Sequence, residues 1–184
     1  MGKSNLSPVI TTAERVLPAR DEDPVARLDA HYFFSADLML KNRRMSNVKQ
    51  YRSPERIRQN DREWLAYTRL WLSLLYVTCK EFEKELETQI VKRPEHFVTL
   101  GDLWTKQQDV RTHFHQKRSM LADFRNSQFH FDKNTEKQLR FFKDDQAMNW
   151  AEELHKRVAR FFSAYRVEAA SGYMNSGRHW QTGV

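Results

Sequence analysis

Residues 60–89 read NDREWLAYTRLWLSLLYVTCKEFEKELETQ, and the periodicity of this stretch decides the fold class. Trp64, Tyr67, Trp71, Leu74, Thr78, Phe82 and Leu86 recur every three or four residues, which is the spacing of one face of an α-helix. Leu70, Leu72, Leu75 and Val77 make the middle of the same helix apolar almost all round. Such a helix is either contacted on several sides, as the central helix of a bundle, or also supplies a subunit interface. Its end carries Glu81, Glu83, Glu85 and Glu87, an acidic edge that reads as solvated surface.

Helical signals continue on both sides of this stretch. Upstream, Asp23 offers an N-cap and Pro24 a first helical residue, and Leu28, Tyr32, Phe33, Ala36 and Leu40 form an apolar face that fades near Arg43. Ser53 and Pro54 restart the helix ahead of the central one. Downstream, Pro94 and Gly101 punctuate a connection, Val110, Phe114, Leu121 and Phe124 mark another helix, and Leu139 and Phe142 lie on a shorter one. A last long helix from about Gln146 to Glu168 carries Ala147, Trp150, Leu154, Val158, Phe161 and Tyr165 on one face. With only five glycines and five prolines in 184 residues, architectures that need frequent turns are poorly supported. The expectation is an all-α bundle of about four to six helices in an up-down arrangement, formed by one domain over residues 23–170. Residues 1–22 read as a flexible leader and 171–184 as a loose tail.

Composition narrows the setting. The lone Cys79 sits inside the most apolar run, where a reduced thiol behaves as a small hydrophobe, and disulfide chemistry is not indicated. The apolar run 70–77 is far too short to cross a bilayer and the N-terminus lacks an apolar signal core, so a cytoplasmic protein with no membrane partner is expected. The net charge of +7 favours polyanions. The excess is local: Lys41, Arg43, Arg44, Lys49, Arg52, Arg56, Arg58 and Arg62 face only Glu55 and Asp61 between residues 41 and 62. Arg52, Arg56 and Arg58 are the residues expected to meet RNA phosphates, against the plainer alternative of a hydrated linker and helix start.

Several kinds of chemistry leave no trace. The chain has no GxxxxGK[ST], GxGxxG or HExxH and no paired cysteines, so no cofactor is expected. His113 and His115 are two apart, which on a helix turns them toward different sides, so no shared metal is expected either. What remains is FRNSQFHF, residues 124–131, which follows directly on an amphipathic helix. Arg125 and His130 enclose four residues, with the polar Asn126 next to the arginine and Phe124, Phe129 and Phe131 flanking them.

This pattern resembles the Rx4-6H motif of the HEPN superfamily (higher eukaryotes and prokaryotes nucleotide-binding). The resemblance extends to the order of elements, a long Trp- and Leu-rich helix before the motif and a Trp- to Phe-rich helix after it, over about two-thirds of the chain. It implies a metal-independent endoribonuclease in which two copies join their motifs in a composite cleft. It further implies a bacterial toxin or phage-defence setting, with an antitoxin or regulatory protein as a further partner.

The residue types suit that chemistry in their own right. Attack by an RNA 2′-hydroxyl on its own phosphate needs a proton acceptor, stabilisation of charge on the phosphoryl oxygens, and protonation of the leaving 5′-oxygen. Imidazole titrates near neutrality, whereas guanidinium stays charged and presents a planar fork to phosphate. His130 is thus the expected acid-base group, Arg125 the phosphate stabiliser, and Asn126, at i,i+4 from His130 on a helix, the group that orients the ring. One motif supplies one histidine, and a homodimer supplies the second. Two other readings stay open: a non-catalytic HEPN-like nucleotide- or RNA-binding module, and a helical adaptor in which Arg125, Asn126 and His130 are ordinary structure.

Overall fold

A computed structural model describes residues 24–46, 54–84, 100–129 and 140–175. Four long helices fill almost all of it: α1 (Pro24–Ser46), α2 (Pro54–Lys84), α3 (Leu100–Phe129) and α4 (Ala147–Asn175). A helical turn at 140–143 precedes α4, and there is no strand among the described residues. Pro24 and Pro54 stand at the first positions of α1 and α2, where a missing N–H costs nothing and the fixed φ favours the helix. Ser53–Pro54 therefore does not lead into a separate element, since one helix runs from Pro54 through the apolar stretch to Lys84.

The cross-helix contacts give an up-down-up-down bundle. The Ser35 hydroxyl of α1 donates to the Trp71 carbonyl of α2. Asp29 meets Arg166 and Arg43 meets Glu152, so α1 and α4 are antiparallel. Asp109 with Arg157 and Lys117 with Asp144 set α3 antiparallel to the 144–157 segment. Trp71 meets His155 and Phe82 packs edge-on against Phe161 and Phe162, which makes α2 and α4 parallel across the centre. The core runs along this centre, with Trp71, Leu72, Leu75 and Phe82 of α2 surrounded by Phe114, Leu121 and Phe124 of α3 and Leu154, Val158 and Phe161 of α4.

The central helix thus packs on several sides, and its apolar middle divides. Leu72 and Leu75 are buried, whereas Leu70 and Val77 remain 46% and 37% exposed. Cys79 is buried as a free thiol, and desolvation pushes its pKa far up, out of reach of ordinary ionisation.

Three details depart from the sequence reading. On α1 the buried stripe runs through Val25, Leu28, Tyr32, Ser35, Met39 and Asn42, so Leu40 is turned out and 52% exposed. The contacts to two helices at once select that stripe over the more apolar one. Glu83 is not solvated edge: it is largely buried and held by His115 and Arg118 of α3. Finally, α4 continues past Glu168 through Gly172 to Asn175, because a single glycine costs a helix only about 1 kcal/mol and no proline follows to stop it. Leu86, Gln89 and Leu139 lie outside the described residues. Among those described, no helix is long and apolar enough to cross a membrane.

Candidate nucleic-acid interface

Arg125, Asn126 and Ser127 sit in the last turns of α3, beyond a break at Lys117, whose backbone leaves helical geometry at φ −132° and ψ 25°. Phe124 anchors this segment. Its ring is fully buried and lies 5.2 Å from Phe141 and 5.6 Å from Phe142, in the turn before α4. Phe142 in turn lies 6.5 Å from Trp64 of α2. This aromatic chain ties the end of α3 to the first half of α2.

Around that anchor the polar groups are ordered. The Ser127 hydroxyl is buried and donates to the Phe124 carbonyl at 2.7 Å, which satisfies it inside the helix end. Arg125 is half-buried, and one terminal nitrogen of its guanidinium donates to the Asn126 Oδ1 at 3.0 Å. The two side chains are therefore joined as one unit. With Oδ1 accepting from Arg125, the exposed Asn126 amide turns its NH2 group outward as a donor. His130 lies outside the described residues.

The basic stretch divides into an internally paired half and an exposed half. Lys41 pairs with Asp37 and Arg43 with Glu152, so both serve α1 and its junction with α4. Arg58 and Arg62 are exposed on the first turns of α2, before Trp64. Arg56 belongs to the same helix, its side chain lying outside the described residues together with the whole of Arg52. Because Trp64 and Phe124 both reach Phe142, Arg58, Arg62 and Arg125 belong to one end of the bundle.

The other described histidines have structural tasks. His113 stacks on Trp150 with ring centroids 5.7 Å apart, and its Nε2 lies 3.1 Å from the Trp150 carbonyl. The Trp150 indole donates back to the His113 carbonyl at 3.1 Å. His115 turns instead toward Glu83 of α2, so the two histidines diverge as their spacing implies. No group of three His, Cys, Asp or Glu side chains suited to a metal occurs among the described residues.

His155 was not singled out by any motif, yet it is the most enclosed of these rings. The Trp71 indole donates to its Nδ1 at 3.2 Å. Indole nitrogen can only donate, so Nδ1 carries no proton and the neutral ring bears its hydrogen on Nε2. That hydrogen points to the Tyr32 oxygen at 3.1 Å, and the Tyr32 hydroxyl passes its own to the His155 carbonyl at 3.2 Å. Burial first, and the nearby Arg43 charge second, push the His155 pKa down to about 4. Its position one step after Leu154 on the buried face of α4 was the available signal.

No family model, no curated protein and no solved structure matches this chain. Chemically, the described residues at this end offer fixed positive charge and an amide donor, a set suited to holding phosphate. Among the described residues, none at this end is a histidine.

Proposed function

We propose that this protein is a metal-independent endoribonuclease of HEPN type, acting on single-stranded RNA as a cytoplasmic homodimer. The observation that supports the reading is the chain of ring contacts Trp64–Phe142–Phe124, which ties the half of α2 that carries the exposed Arg58 and Arg62 to the end of α3 that carries the Arg125–Asn126 pair. Two stretches singled out for separate reasons, one for its charge and one for its motif, thus have described parts toward the same end of the bundle. In the proposed reaction Arg125 draws charge off the phosphoryl oxygens and His130 handles the proton of the attacking 2′-hydroxyl. The Asn126 NH2 group, directed by its bond to Arg125, holds the ring through an unprotonated nitrogen. The second copy's His130 protonates the leaving oxygen. A toxin or phage-defence role, with an antitoxin or regulatory partner, belongs to the same proposal and rests on the family resemblance.

The deciding experiment uses purified protein with EDTA present throughout. Single-stranded RNA should be cut and DNA of the same sequence left intact, because DNA lacks the nucleophile, and the products should end in 2′,3′-cyclic phosphate. His130→Ala should abolish cleavage. Arg125→Ala should slow it by about two to three decades, as removal of one oxyanion donor does, and Arg125→Lys should restore only part, since an ammonium lacks the planar fork. Binding of RNA without cutting by wild type would replace this reading with the non-catalytic module, and the absence of both with the adaptor.

A further inference from the structure

On α2, Leu70 and Val77 are seven residues apart and both exposed, and the half-buried Leu74 stands between them. Seven residues make almost two helical turns, so the three side chains leave the helix along one stripe. The contacts of α2 within the bundle lie elsewhere. Tyr76 and Glu83 meet α3 about a third of a turn round, and α1 lies on the other side, where the Ser35 hydroxyl reaches the Trp71 carbonyl. On α1, Phe34 is 69% exposed, the most of any large apolar side chain among the described residues.

These residues share one face. Ser35 is level with Trp71, and Lys41 lies within electrostatic reach of Tyr67, so α1 and α2 run antiparallel. At that register Phe34 stands level with Ser73, midway between Leu70 and Val77. Lys41 is seven residues beyond Phe34 on the same stripe of α1, and Glu63 is seven before Leu70 on the same stripe of α2.

We infer that a second copy of this chain covers this face, about a two-fold axis parallel to the helices that lays α1 of each protomer on α2 of the other. Such an axis preserves level along the helices, so Phe34 of the partner subunit arrives opposite Ser73. Leu70, Ser73, Leu74 and Val77 occupy the i, i+3, i+4 and i+7 positions that make a hole for one knob from a facing helix. The small, buried Ser73 is its floor. Two turns along, Lys41 of the partner subunit arrives over the next hole, formed by Glu63, Ala66, Tyr67 and Leu70, where Glu63 offers a carboxylate to the ammonium. An apolar knob meets an apolar hole and a cation meets an acid, in one register, and the two-fold makes each contact twice. The same axis keeps the α3 ends that carry Arg125 toward one end of the dimer, whereas an axis across the helices would send them to opposite ends. The need for a second copy rests on the proposed ribonuclease reading; the face and its register do not.

The test reads mass, not cleavage. Sedimentation equilibrium of the full chain at micromolar concentration should give about twice 22.1 kDa. Phe34→Asp should be monomeric with unchanged helical content by circular dichroism, because so exposed a side chain contributes little to the fold. Val167→Asp, equally outward on α4, should stay dimeric. A monomeric wild type or a dimeric Phe34→Asp overturns the interface, as does splitting by Val167→Asp, since association would then follow added charge wherever it is placed. The register is read separately, with Phe34 in place. Under mild oxidation an equal mixture of Lys41→Cys and Ala66→Cys proteins should form a disulfide-linked pair, the resident Cys79 being buried. No link in the mixture, or a link within either protein alone, overturns the pairing of α1 with α2. Should mass and cross-link behave as expected while RNA stays uncut, the ribonuclease reading falls and the interface stands.

Discussion

His155 shows at the scale of one residue how burial fixes a protonation state. Its Nδ1 accepts from the Trp71 indole, so a second proton on the ring would confront a donor that cannot turn into an acceptor. The ring is only 8% exposed, and its pKa lies at about 4, against about 6.5 in an unfolded chain. Between those values the unfolded state binds the additional proton, so stability is fully present above the higher value and falls as pH drops toward the lower. The loss amounts to something on the order of 3 kcal/mol. Urea unfolding at pH 7 and at pH 4.5 should show it as a drop in midpoint. In His155→Phe the drop should shrink, while stability at pH 7 should also fall, because the Trp71 N–H loses its acceptor and the Tyr32 oxygen loses its donor. Equal pH dependence in the two proteins would mean that His155 titrates normally. At the same scale, Cys79 should resist thiol reagents in the native protein and react only on unfolding, since the buried thiol does not ionise.

Between elements, the junction of α1 with α4 depends on charge as well as apolar contact. One Arg166 nitrogen donates to both Asp29 oxygens, at 2.9 and 2.8 Å, and the guanidinium carbon sits 5.1 Å over the Phe33 ring. Asp29 is only 4% exposed. Removing the cation alone strands a buried carboxylate, so Arg166→Met should destabilise by about 3–5 kcal/mol. Adding Asp29→Asn should return part of that loss, and a double-mutant cycle in urea measures the coupling. Additive effects would show that α1 docks through Tyr32 and Met39 alone. Sequence gave no hint of this pair, because Asp29 and Arg166 are 137 residues apart and each reads as ordinary helix surface. The periodicity of the apolar faces was, by contrast, readable: Val110, Phe114, Leu121 and Phe124 are all buried on α3, as are Trp150, Leu154, Val158 and Phe161 on α4. Leu40 misled because an apolar residue at a helical interval is buried only if a neighbouring helix lies on that side.

For the whole molecule, the net charge of +7 is unevenly used. Lys41 and Arg43 serve ion pairs within the chain, whereas Arg58 and Arg62 are exposed on the first turns of α2, so RNA affinity should fall steeply with added salt. Neutralising Arg52, Arg56 and Arg58 together should flatten that dependence, and an unchanged slope would return the stretch to plain hydrated surface. Assembly follows from the proposed chemistry, which needs two proton-handling groups on opposite sides of one phosphate. Sedimentation of the 22.1 kDa chain at micromolar concentration should give a mass of about twice that value. An active monomer would require a second acid-base group within one chain.

The sequence by itself determined the all-α class, the helix starts at Pro24 and Pro54 and most of the buried faces of α3 and α4, because helical periodicity and proline geometry are local properties. It also singled out Arg125 and Asn126, whose neighbourhood is local too. Only the tertiary structure decided that Glu83 is gripped by α3 and that His155 is locked between Trp71 and Tyr32. Those facts depend on which helix lies beside which, and at what level along its axis. That register comes from side chains far apart in the chain meeting in the core, as Trp64, Phe142 and Phe124 do, and no local pattern in the sequence encodes it.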